Sequence, residues 1–444
     1  MRAHFGADYE AFIAALDEPP VTSVRTHLSK FHLEATTLPL GDRIPWSAYG
    51  FYLSSRPSFT FDPSFHAGAY YVQESSSMFL EQALKATGIL DNSIRVLDMC
   101  AAPGGKSTHI LSLINQESVL VSNEVIAGRN RILRQNLARW GHANSIVTQN
   151  KAEDFAGLGE TFDIIVVDAP CSGEGLFRKD KAAIGQWSEA NVTMCAERQE
   201  NILQHIIQCL KPGGYLVYST CTYEDVENLA QVRRLVNDGG FDSIAIPNAG
   251  SFQPQLTIVS TGGCLGYSFY PHRTSGEGFF LSLLRKKGEW QETITPPARI
   301  ADKTIQDIRP QLDNFISAPE HFLAIKHQNI YNILPARFWQ AYRSLSGLYI
   351  RNAGICTGEV KGKDLIPAHE LSLALDMRPD FPSIDIDHPG AIAFLKGETV
   401  SVITDHKGWV AIRHNGLNLG FAKALPNRIN SYFPKEWRIL KSQP

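Results

Sequence analysis

Length, composition and charge exclude several classes of protein for this chain. With 444 residues it is too long for one ordinary hydrophobic core, so two to four domains are expected. Hydrophobic residues make up 43% and charged residues 20%, the balance of a soluble globular protein, and no apolar run is long enough to span a membrane. A net charge of −3 points to no particular partner, although a nucleic-acid binder of this size can concentrate positive charge locally.

The N-terminus and the cysteines indicate a cytoplasmic protein. The first residues, MRAHFGADYEAFIAAL, carry acids and lack the apolar core of a secretory signal. Seven cysteines, an odd number scattered over a long chain, do not resemble a disulfide framework, and no Cys or His cluster has the spacing of a zinc site. We therefore expect reduced thiols, no metal, no membrane association and a cytoplasmic location.

Changes in composition predict four units along the chain. Residues 1–92 form an N-terminal extension with a proline-rich middle, and residues 93–288 repeat the pattern strand, glycine-rich turn, helix. A linker is expected over Gln291–Pro297. Residues 298–376 mix short strands and helices in a connecting α/β unit, and residues 380–444 hold short strands and glycine turns, which is typical of a small β-rich module.

The elements predicted within residues 93–288 alternate between strands and helices. Strands are predicted over 94–98, 119–124, 145–148, 162–167 and 215–219, and helices over 106–115, 128–140 and about 191–210, the last broken by Pro212-Gly213-Gly214. This alternation predicts a doubly wound, mainly parallel α/β sheet. Such sheets bind ligands beyond the carboxyl ends of their strands, where Asp98, Glu124, Asp168 and Cys171 fall.

The turn after the first of these strands suits a ligand other than a dinucleotide. It reads DMCAAPGGKS, and its small residues let a ligand approach the backbone and a helix N-terminus closely. Neither GxxxxGK[ST] nor GxGxxG is present. Glu124 ends the next strand, where an acid can accept both hydroxyls of a ribose. A ribose without a pyrophosphate indicates S-adenosylmethionine (SAM), although a glycine turn alone is common in doubly wound proteins.

Two predicted strands lead into a cysteine, Cys171 in VVDAPCSGEG and Cys221 in YSTCTY. A buried cysteine is more often a small hydrophobic residue than a catalyst, but two at neighbouring strand ends beside a SAM turn favour chemistry. A thiolate that adds to carbon 6 of a pyrimidine makes carbon 5 nucleophilic toward a SAM methyl group, and a second thiol can serve the later elimination. The spacing alone does not assign the two roles.

Several segments resemble the Nop/Sun (RsmB/NOP) family of RNA cytosine carbon-5 methyltransferases. DMCAAPGGKS, DAPCSGEGLFRKD and YSTCTYEDVEN occur in the family's order, and YYVQESSSM and CLKPGGYLVYSTCT are also similar, so the resemblance covers about residues 70–285. GWVAIRHNGLNLGFAKALPNRINSYFPKEWR is similar to the PUA-like terminal module of the bacterial RsmF-type enzymes, and GICTGEVKGKDLIPAHELSLAL looks like the domain before it.

The resemblance implies a Rossmann-like class I SAM-dependent core with PUA-like and N-terminal parts that contact RNA, and methylation of a cytosine in small-subunit (16S) ribosomal RNA. By position it makes Cys221 the nucleophile and Cys171 the product-release cysteine, with Asp168 and Lys106 at the target base. The SAM contacts it implies are Cys100, Ala101, Ala102, Pro103, Gly104, Gly105, Lys106, Glu124, Asp168 and, where the family usually has an acid near the adenine, Asn150.

Two other functions stay open from the sequence. A methyltransferase acting on cytosine carbon 5 of tRNA would carry the same catalytic motifs, because these motifs do not name the RNA. A non-catalytic RNA-binding factor for ribosome assembly, with a vestigial SAM fold, is the second alternative. The presence of Cys171 and Cys221 together with Asp168 and Lys106 argues against such decay.

Two groups of basic residues are candidates for RNA contact. Arg178, Lys179 and Lys181, which follow the Cys171 motif, suit RNA phosphate and a solvated loop equally well. The last 44 residues hold seven Lys and Arg against two acids. On charge alone, this second group is more typical of a solvated face.

Overall fold

The computed structural model describes residues 2–292, 303–400, 402, 404–425 and 428–441, and arranges them in four β-sheets. From residue 293 onward, the predicted linker lies outside these described residues. All seven cysteines are free. Among the helices of the described ranges, none is both long and apolar enough to cross a membrane.

The N-terminal residues form a four-stranded antiparallel sheet in the order β2-β3-β1-β4. Its strands are β1 Ser23–Thr26, β2 Leu40–Arg43, β3 Gly50–Leu53 and β4 Tyr70–Val72, and the helices are α1 Arg2–Phe5, α2 Tyr9–Asp17, α3 Pro63–His66 and α4 Leu80–Ala86. Local sequence sets the start of α3. Asp62 accepts a hydrogen bond from the N–H of Ser64 (2.8 Å), and Pro63 occupies the first helical position, where its missing N–H costs nothing.

A ten-stranded sheet forms the centre of the molecule. Its first nine strands along the chain are β5 Arg95–Asp98, β6 Val119–Asn123, β7 Ser145–Thr148, β8 Phe162–Asp168, β9 Leu210–Thr220, β10 Phe241–Ser243, β11 Leu256–Thr261, β12 Cys264–Phe269 and β13 Phe279–Lys286. The helices between them are α5 Gly105–Leu113, α6 Ala127–Trp140, α7 Ala152–Phe155, α8 Lys181–Gln186, α9 Glu189–Ile206 and α10 Leu229–Asn237. Strands β5 to β9 are parallel in the order β9-β8-β5-β6-β7. The strand order therefore reverses between β5 and β8, the place where such sheets bind ligands.

This sheet is more mixed than the mainly parallel one predicted. Strand β13 pairs antiparallel with β9, from Phe280 opposite Thr220 to Arg285 opposite Tyr215, and β10, β11 and β12 continue the antiparallel part. These strands are not among those predicted from the sequence, and neither is the Gly262-Gly263 turn between β11 and β12, where both φ angles are positive as in tight hairpins.

The predicted break at Pro212-Gly213-Gly214 also has a different form. Helix α9 already ends at Ile206, and the Pro-Gly-Gly segment lies inside β9, which begins at Leu210. The register between β8 and β9 shifts near its start, and Gly213 has a φ of 71°. The segment is therefore an irregularity within a strand and does not end the helix.

The next part of the chain adds one strand to the central sheet and builds a five-stranded antiparallel sheet of its own. The elements are β14 Ile305–Gln306, β15 Phe322–His327, β16 Ile330–Pro335, β17 Ile350–Ala353, β18 Ile355–Lys361 and β19 Asp364–Pro367, with α11 Arg309–Leu312, α12 Trp339–Ser344 and α13 His369–Ser372. Strand β17 pairs antiparallel with β7 and forms the edge of the central sheet. The other five strands follow the order β14-β15-β16-β18-β19.

The C-terminal residues form a four-stranded sheet that packs on the N-terminal part. Its elements are β20 Ser383–Asp385, β21 Gly408–His414, β22 Leu417–Leu425, β23 Arg428–Ser431 and α14 His388–Lys396. Phe61 and Ala67, on either side of α3, belong to the same apolar cluster as Phe394 and Trp437. Helix α6 joins this contact, since Arg139 lies over the ring of Trp437 at 4.9 Å.

Two basic side chains of the N-terminal part fix it behind the central sheet. The buried guanidinium of Arg25 donates to Gln73 (2.8 Å) and Thr108 (2.6 Å) and lies 4.5 Å from the ring of Trp140. The ammonium of Lys30 donates to the carbonyls of Ala67, Arg139 and Leu373, at 3.2, 2.6 and 2.7 Å. The N-terminal sheet thus holds both α5, which begins at the predicted SAM turn, and the end of α6.

Substitution of Gly68 tests how closely the N-terminal part packs against α6. Its φ is 75°, and a Cβ there would lie only 2.0 Å from the carbonyl oxygen of Arg139. Gly88 has a similar φ of 69°, but a Cβ there meets no atom within 4 Å. We expect Gly88→Ala to cost roughly 1–2 kcal/mol of unfolding free energy, the cost of a left-handed residue, and Gly68→Ala to cost clearly more. Urea denaturation of both variants measures these free energies. Equal losses of unfolding free energy would contradict the close packing of Gly68 against α6.

Candidate active site

The turn between β5 and α5 lies at the carboxyl ends of the parallel strands, the region where such sheets bind ligands and which we call the crevice. Gly104 caps α5 with a φ of 112°, a conformation that glycine adopts without strain. Two side chains of α6 hold this turn from behind. Arg129 donates to the carbonyl of Ala102 and Asn136 to that of Pro103, both at 2.8 Å. The turn is therefore fixed in place and presents small residues to the crevice.

Asp98, at the end of β5, has one free acceptor in this crevice. The side chain is fully buried, and its Oδ2 accepts a hydrogen bond from the hydroxyl of Ser107 at 2.6 Å. Its Oδ1 is buried and has no hydrogen-bond partner among the described residues. Burial raises the pKa of this carboxyl to about 7. A buried acceptor of this kind, beside the small-residue turn, fits a ligand that carries a donor such as the ammonium group of SAM.

Glu124 directly follows β6, which ends one residue earlier than predicted. The side chain is 4% exposed. Its Oε1 accepts from the N–H of Ile126 at 2.8 Å, and its Oε2 lies 3.5 Å from the guanidinium of Arg129. These contacts fix the carboxylate at the strand end, and its contact with a ribose stays a prediction.

Asn150 lies beyond the end of β7, where its side chain binds the main chain of another segment. Its Nδ2 donates to the carbonyl of Tyr349 (3.3 Å), and its Oδ1 accepts from the N–H of the same residue (3.0 Å). The amide thus anchors the chain just before β17. Its predicted contact with an adenine stays untested.

Lys106 and Asp168 form an ion pair across the crevice. The Lys106 ammonium lies 2.8 Å from Asp168 Oδ2, and Asp168 Oδ1 accepts from the hydroxyl of Ser219 at 2.9 Å. Burial alone would lower the pKa of Lys106, but the Asp168 carboxylate outweighs it and the pKa lies above its ordinary value. Lys106 is therefore a fixed cation, also 5.1 Å from the ring centre of Phe279.

The two predicted cysteines come together at the ends of β8 and β9. Their sulfur atoms are 3.1 Å apart, and the N–H of Cys221 donates to the sulfur of Cys171 at 3.3 Å. The hydrogen bond with Cys221, together with burial, raises the pKa of Cys171. Either sulfur can donate in this contact, so the contact alone does not distinguish the roles of the two thiols.

Two buried carboxylates that the sequence analysis missed hold the cysteine loops together. Glu174, three residues after Cys171, reaches into the Cys221 loop. Its Oε2 accepts from the hydroxyl of Thr222 at 2.8 Å and from the N–H of Tyr223 at 2.9 Å. The side chain is fully buried, and burial raises its pKa to about 7.

Glu227, six residues after Cys221, reaches back into the Cys171 loop. Its carboxylate accepts from the N–H (3.0 Å) and the hydroxyl (2.5 Å) of Ser172, and from the amide of Gln199 (2.8 Å). We call Glu174 and Glu227 the crossed carboxylates, because each is carried by one loop and binds the other. Both lie inside the quoted motifs, so a search for acids near the cysteines would have found them.

The structure contradicts both predictions for Arg178, contact with RNA phosphate and exposure on a solvated loop. Its side chain is buried, with Nε 3.2 Å from the carboxylate of Glu277 and Nη2 donating to the carbonyl of Gly276 at 2.6 Å. Burial excludes it from contact with RNA phosphate. Lys181 is exposed and pairs with Asp17 at 3.0 Å, and Lys179 is exposed.

Two solved structures from Pyrococcus horikoshii have a similar fold. A methyltransferase homologue from Pyrococcus horikoshii is 27% identical, with a TM-score of 0.54 over 64% of this chain and 93% of that one. NSun6 from Pyrococcus horikoshii with SFG shares the fold at 20% identity, with a TM-score of 0.53 over 65% of this chain and 97% of that one. The parallel strands, the turn after β5 and the crevice define a Rossmann-like SAM-dependent methyltransferase.

Family models and curated relatives make this more specific. The models that match are 16S rRNA methyltransferase RsmB/F over residues 89–285, the N-terminal domain of 16S rRNA methyltransferase RsmF over 1–75 and the RsmF PUA domain over 381–439. The ribosomal RNA small subunit methyltransferase F of Aeromonas salmonicida is 31% identical, and that of Aeromonas hydrophila 32%; each match spans 98% of this chain and 94% of the relative. The chain belongs to the family of ribosomal RNA small subunit methyltransferase F.

The raised pKa of Asp98 predicts a pH dependence of stability. Its folded pKa of about 7 lies above the unfolded value, so the folded state binds the proton more tightly between these two values. The contribution of Asp98 to the free energy of unfolding is therefore fully present below about pH 4. It falls by roughly 1.4 kcal/mol per pH unit as the pH rises to about 7. Asp98→Asn keeps an acceptor for Ser107 but cannot titrate.

Urea denaturation at several pH values, without SAM, measures this contribution. The unfolding free energy of the wild type minus that of Asp98→Asn should fall from pH 4 to 7 and stay level above. The difference is needed because neutral buried histidines such as His109, whose pKa burial lowers to about 4, act in the opposite direction below pH 6.5. Asp91→Asn, at an exposed position, is the control and should give no such slope. A flat difference for Asp98 would contradict the assignment.

Proposed function

We propose that this enzyme transfers the methyl group of SAM to carbon 5 of a cytosine in small-subunit (16S) ribosomal RNA, through a covalent bond between cysteine and cytosine. The observation that carries the proposal is the pair of sulfur atoms 3.1 Å apart, at the same crevice as the Lys106–Asp168 ion pair. The names of the matching family model and relatives support ribosomal RNA as the substrate over tRNA. The presence of both cysteines beside this ion pair argues against a non-catalytic assembly factor.

The site suits SAM binding between the turn and the ends of β6 and β8. The turn 100–106 would take the methionine part near the free oxygen of Asp98, and Glu124 would accept the ribose hydroxyls. SAM supplies a methyl group bound to a positively charged sulfur. Asp168, which forms an ion pair with Lys106, would face both SAM and the target base.

Cys221 would begin the reaction by adding its thiolate to carbon 6 of the cytosine. The two sulfur atoms are 3.1 Å apart and either can donate, so this contact can stabilise a thiolate on Cys221 or on Cys171. The family resemblance assigns the nucleophile role to Cys221. As the S–C6 bond forms, negative charge collects on the ring nitrogen and the carbonyl, where the Lys106 ammonium, held in place by Asp168, can stabilise it.

The second half of the reaction requires removal of the carbon 5 proton. After carbon 5 has taken the methyl group, this proton must leave so that the C5–C6 double bond re-forms and the S–C6 bond breaks. Cys171 lies beside the nucleophile and would serve this elimination as a thiolate, taking the carbon 5 proton after its own proton has passed to solvent. Cys221 then departs as a thiolate and the methylated cytosine is released.

The four-unit organisation extends the proposal to RNA binding. We propose residues 93–288 as the catalytic domain, residues 298–376 as a connecting unit, and residues 1–92 and 380–444 as parts that contact RNA. The family matches at both ends of the chain support this division. The exposed lysines and arginines of the C-terminal sheet, such as Lys423 and Arg428, could meet RNA phosphate.

Glu124→Ala should weaken SAM binding. Hydrogen bonds to a charged group are worth roughly 1.5–3 kcal/mol, so the dissociation constant should rise by roughly 10- to 100-fold. Calorimetric titration with SAM measures it. Glu153→Ala, which changes an exposed acid of α7, should leave the affinity unchanged. An unchanged affinity for Glu124→Ala would place the ribose elsewhere.

The order of events separates the roles of the two cysteines. With RNA and SAM, Cys171→Ala should form the covalent adduct, methylate it and stall, because the carbon 5 proton is not removed. We therefore expect a protein–RNA band that survives denaturing electrophoresis. Cys221→Ala and the double variant Cys171→Ala/Cys221→Ala should give no such band and no methylated RNA.

The controls for this experiment lie in the same protein. Cys195→Ala, at a buried cysteine of α9, should behave as wild type. An adduct trapped by Cys221→Ala in place of Cys171→Ala would reverse the two roles. Turnover retained by Cys221→Ala would overturn the covalent mechanism itself.

A further inference from the structure

A cavity of about 450 Å³ lies at the edge of the central sheet, and neither Cys171 nor Cys221 lines it. We call it the edge cavity. Its walls are the second half of α6, strand β17 with the residue before it, the hairpin of β15 and β16, and the start of α13. Its volume is in the range of small-molecule sites, roughly 300–1,000 Å³. None of the predicted SAM or catalytic residues lines it.

Two arginines line this cavity. Arg134 comes from α6 and Arg351 from β17, and the Nε atom of each is buried without a hydrogen-bond partner among the described residues. Within the same ranges, neither forms an ion pair. After burial, the charge of Arg351 is the largest influence that lowers the pKa of Arg134, so the two cations are close enough to repel each other. An anion between them would relieve that repulsion and satisfy the buried donors.

The other titratable groups of the lining do not cancel this charge. Glu370 is the acid among the lining residues, and burial raises its pKa, although the charge of Arg134 opposes this. Burial lowers the pKa of His142 to about 4, which leaves it neutral, and raises the pKa of Cys356. His327 lies exposed at the rim. The cavity therefore carries net positive charge near neutral pH.

An exposed aromatic ring stands beside the two arginines. Tyr349 is 55% exposed, its hydroxyl accepts a hydrogen bond from Arg351 at 2.6 Å, and the guanidinium lies 5.1 Å from the ring centre. The main chain of Tyr349 is fixed by Asn150 at the carboxyl end of β7. An aromatic ring next to guanidinium groups can stack a base while the cations hold its phosphate.

We propose that the edge cavity binds a nucleotide in a single-stranded part of the RNA substrate, with Arg134 and Arg351 on the phosphate and Tyr349 against the base. This inference rests on the proposed function in taking RNA as the substrate. Tyr349 lies at the carboxyl end of the parallel strands, as the crevice does, because Ile350 of the antiparallel strand β17 pairs with Thr148 at the end of β7. An RNA strand that leaves the crevice over the end of β7 would meet Tyr349 first and the two arginines next.

Fluorescence anisotropy with a labelled single-stranded RNA of about 12 nucleotides, at several salt concentrations, tests the proposal. Each phosphate contact on a single strand contributes about 0.7 to the slope of log K against log salt. Arg134→Gln and Arg351→Gln should each weaken binding several-fold and lower this slope by about 0.7. Tyr349→Ala should weaken binding and leave the slope unchanged, because stacking releases no counterion. Arg309→Gln, at an exposed arginine paired with Asp307, is the matched control and should change neither quantity.

Further measurements distinguish a variant that has lost an RNA contact from one that has not folded. SAM affinity by calorimetry reports whether each variant is folded, and if an arginine variant does not fold, Glu370→Gln should tighten RNA binding because it removes the acid of the cavity. Unchanged RNA affinity and salt slope in the folded arginine variants would overturn the proposal. Displacement of the RNA by micromolar AMP or inorganic phosphate would overturn it in favour of a free anion. The assay reads binding alone, so a failure of the cysteine chemistry would appear in methyl transfer and leave this result untouched.

Discussion

The candidate active site depends on the crossed carboxylates. Parallel pairing of β8 and β9 fixes where the strands end but not the loops beyond them, and the two thiols belong to these loops. Glu174 and Glu227 each bind an N–H and a hydroxyl of the opposite loop, so neither loop can move without stretching hydrogen bonds to a buried acid. A buried carboxylate that loses its donors is costly. The distance of 3.1 Å between the sulfur atoms is thus maintained by the fold.

A second constraint comes from behind the sheet, where distant parts of the chain meet at α5 and α6. Arg25 fixes α5 through Thr108, and Lys30 binds the carbonyl of Arg139 near the end of α6. In turn, α6 holds the turn after β5 from its other side through Arg129 and Asn136. The N-terminal sheet therefore contributes to the geometry of the crevice even though it supplies none of the predicted SAM contacts.

The sequence predicted the parallel strands and the residues at their ends, because periodicity and glycine turns are local signals. Cys171 and Cys221 meet, and Lys106 pairs with Asp168, as expected for residues at the carboxyl ends of neighbouring strands. The antiparallel strands β10 to β13 and the edge strand β17 were missed, since their pairing depends on partners far away in the sequence. Arg178 was misjudged for the same reason, because its partner Glu277 lies on another loop. The roles of the SAM and cysteine residues stay predictions.

Some buried carboxylates of this protein have one oxygen that is hydrogen-bonded to a neighbouring segment and one oxygen that has no partner among the described residues. In Glu174, one oxygen accepts two hydrogen bonds from the Cys221 loop, while Oε1 is buried without a partner. Asp98 shows the same division between Oδ2, bound to Ser107, and Oδ1. An unpaired buried acceptor or donor costs roughly 1–3 kcal/mol. Such atoms also occur away from both sites, as at Trp140 Nε1 and Trp187 Nε1. The free Nε atoms of Arg134 and Arg351 therefore support the proposed RNA contact only together with the volume of the edge cavity, its net positive charge and the exposed ring of Tyr349.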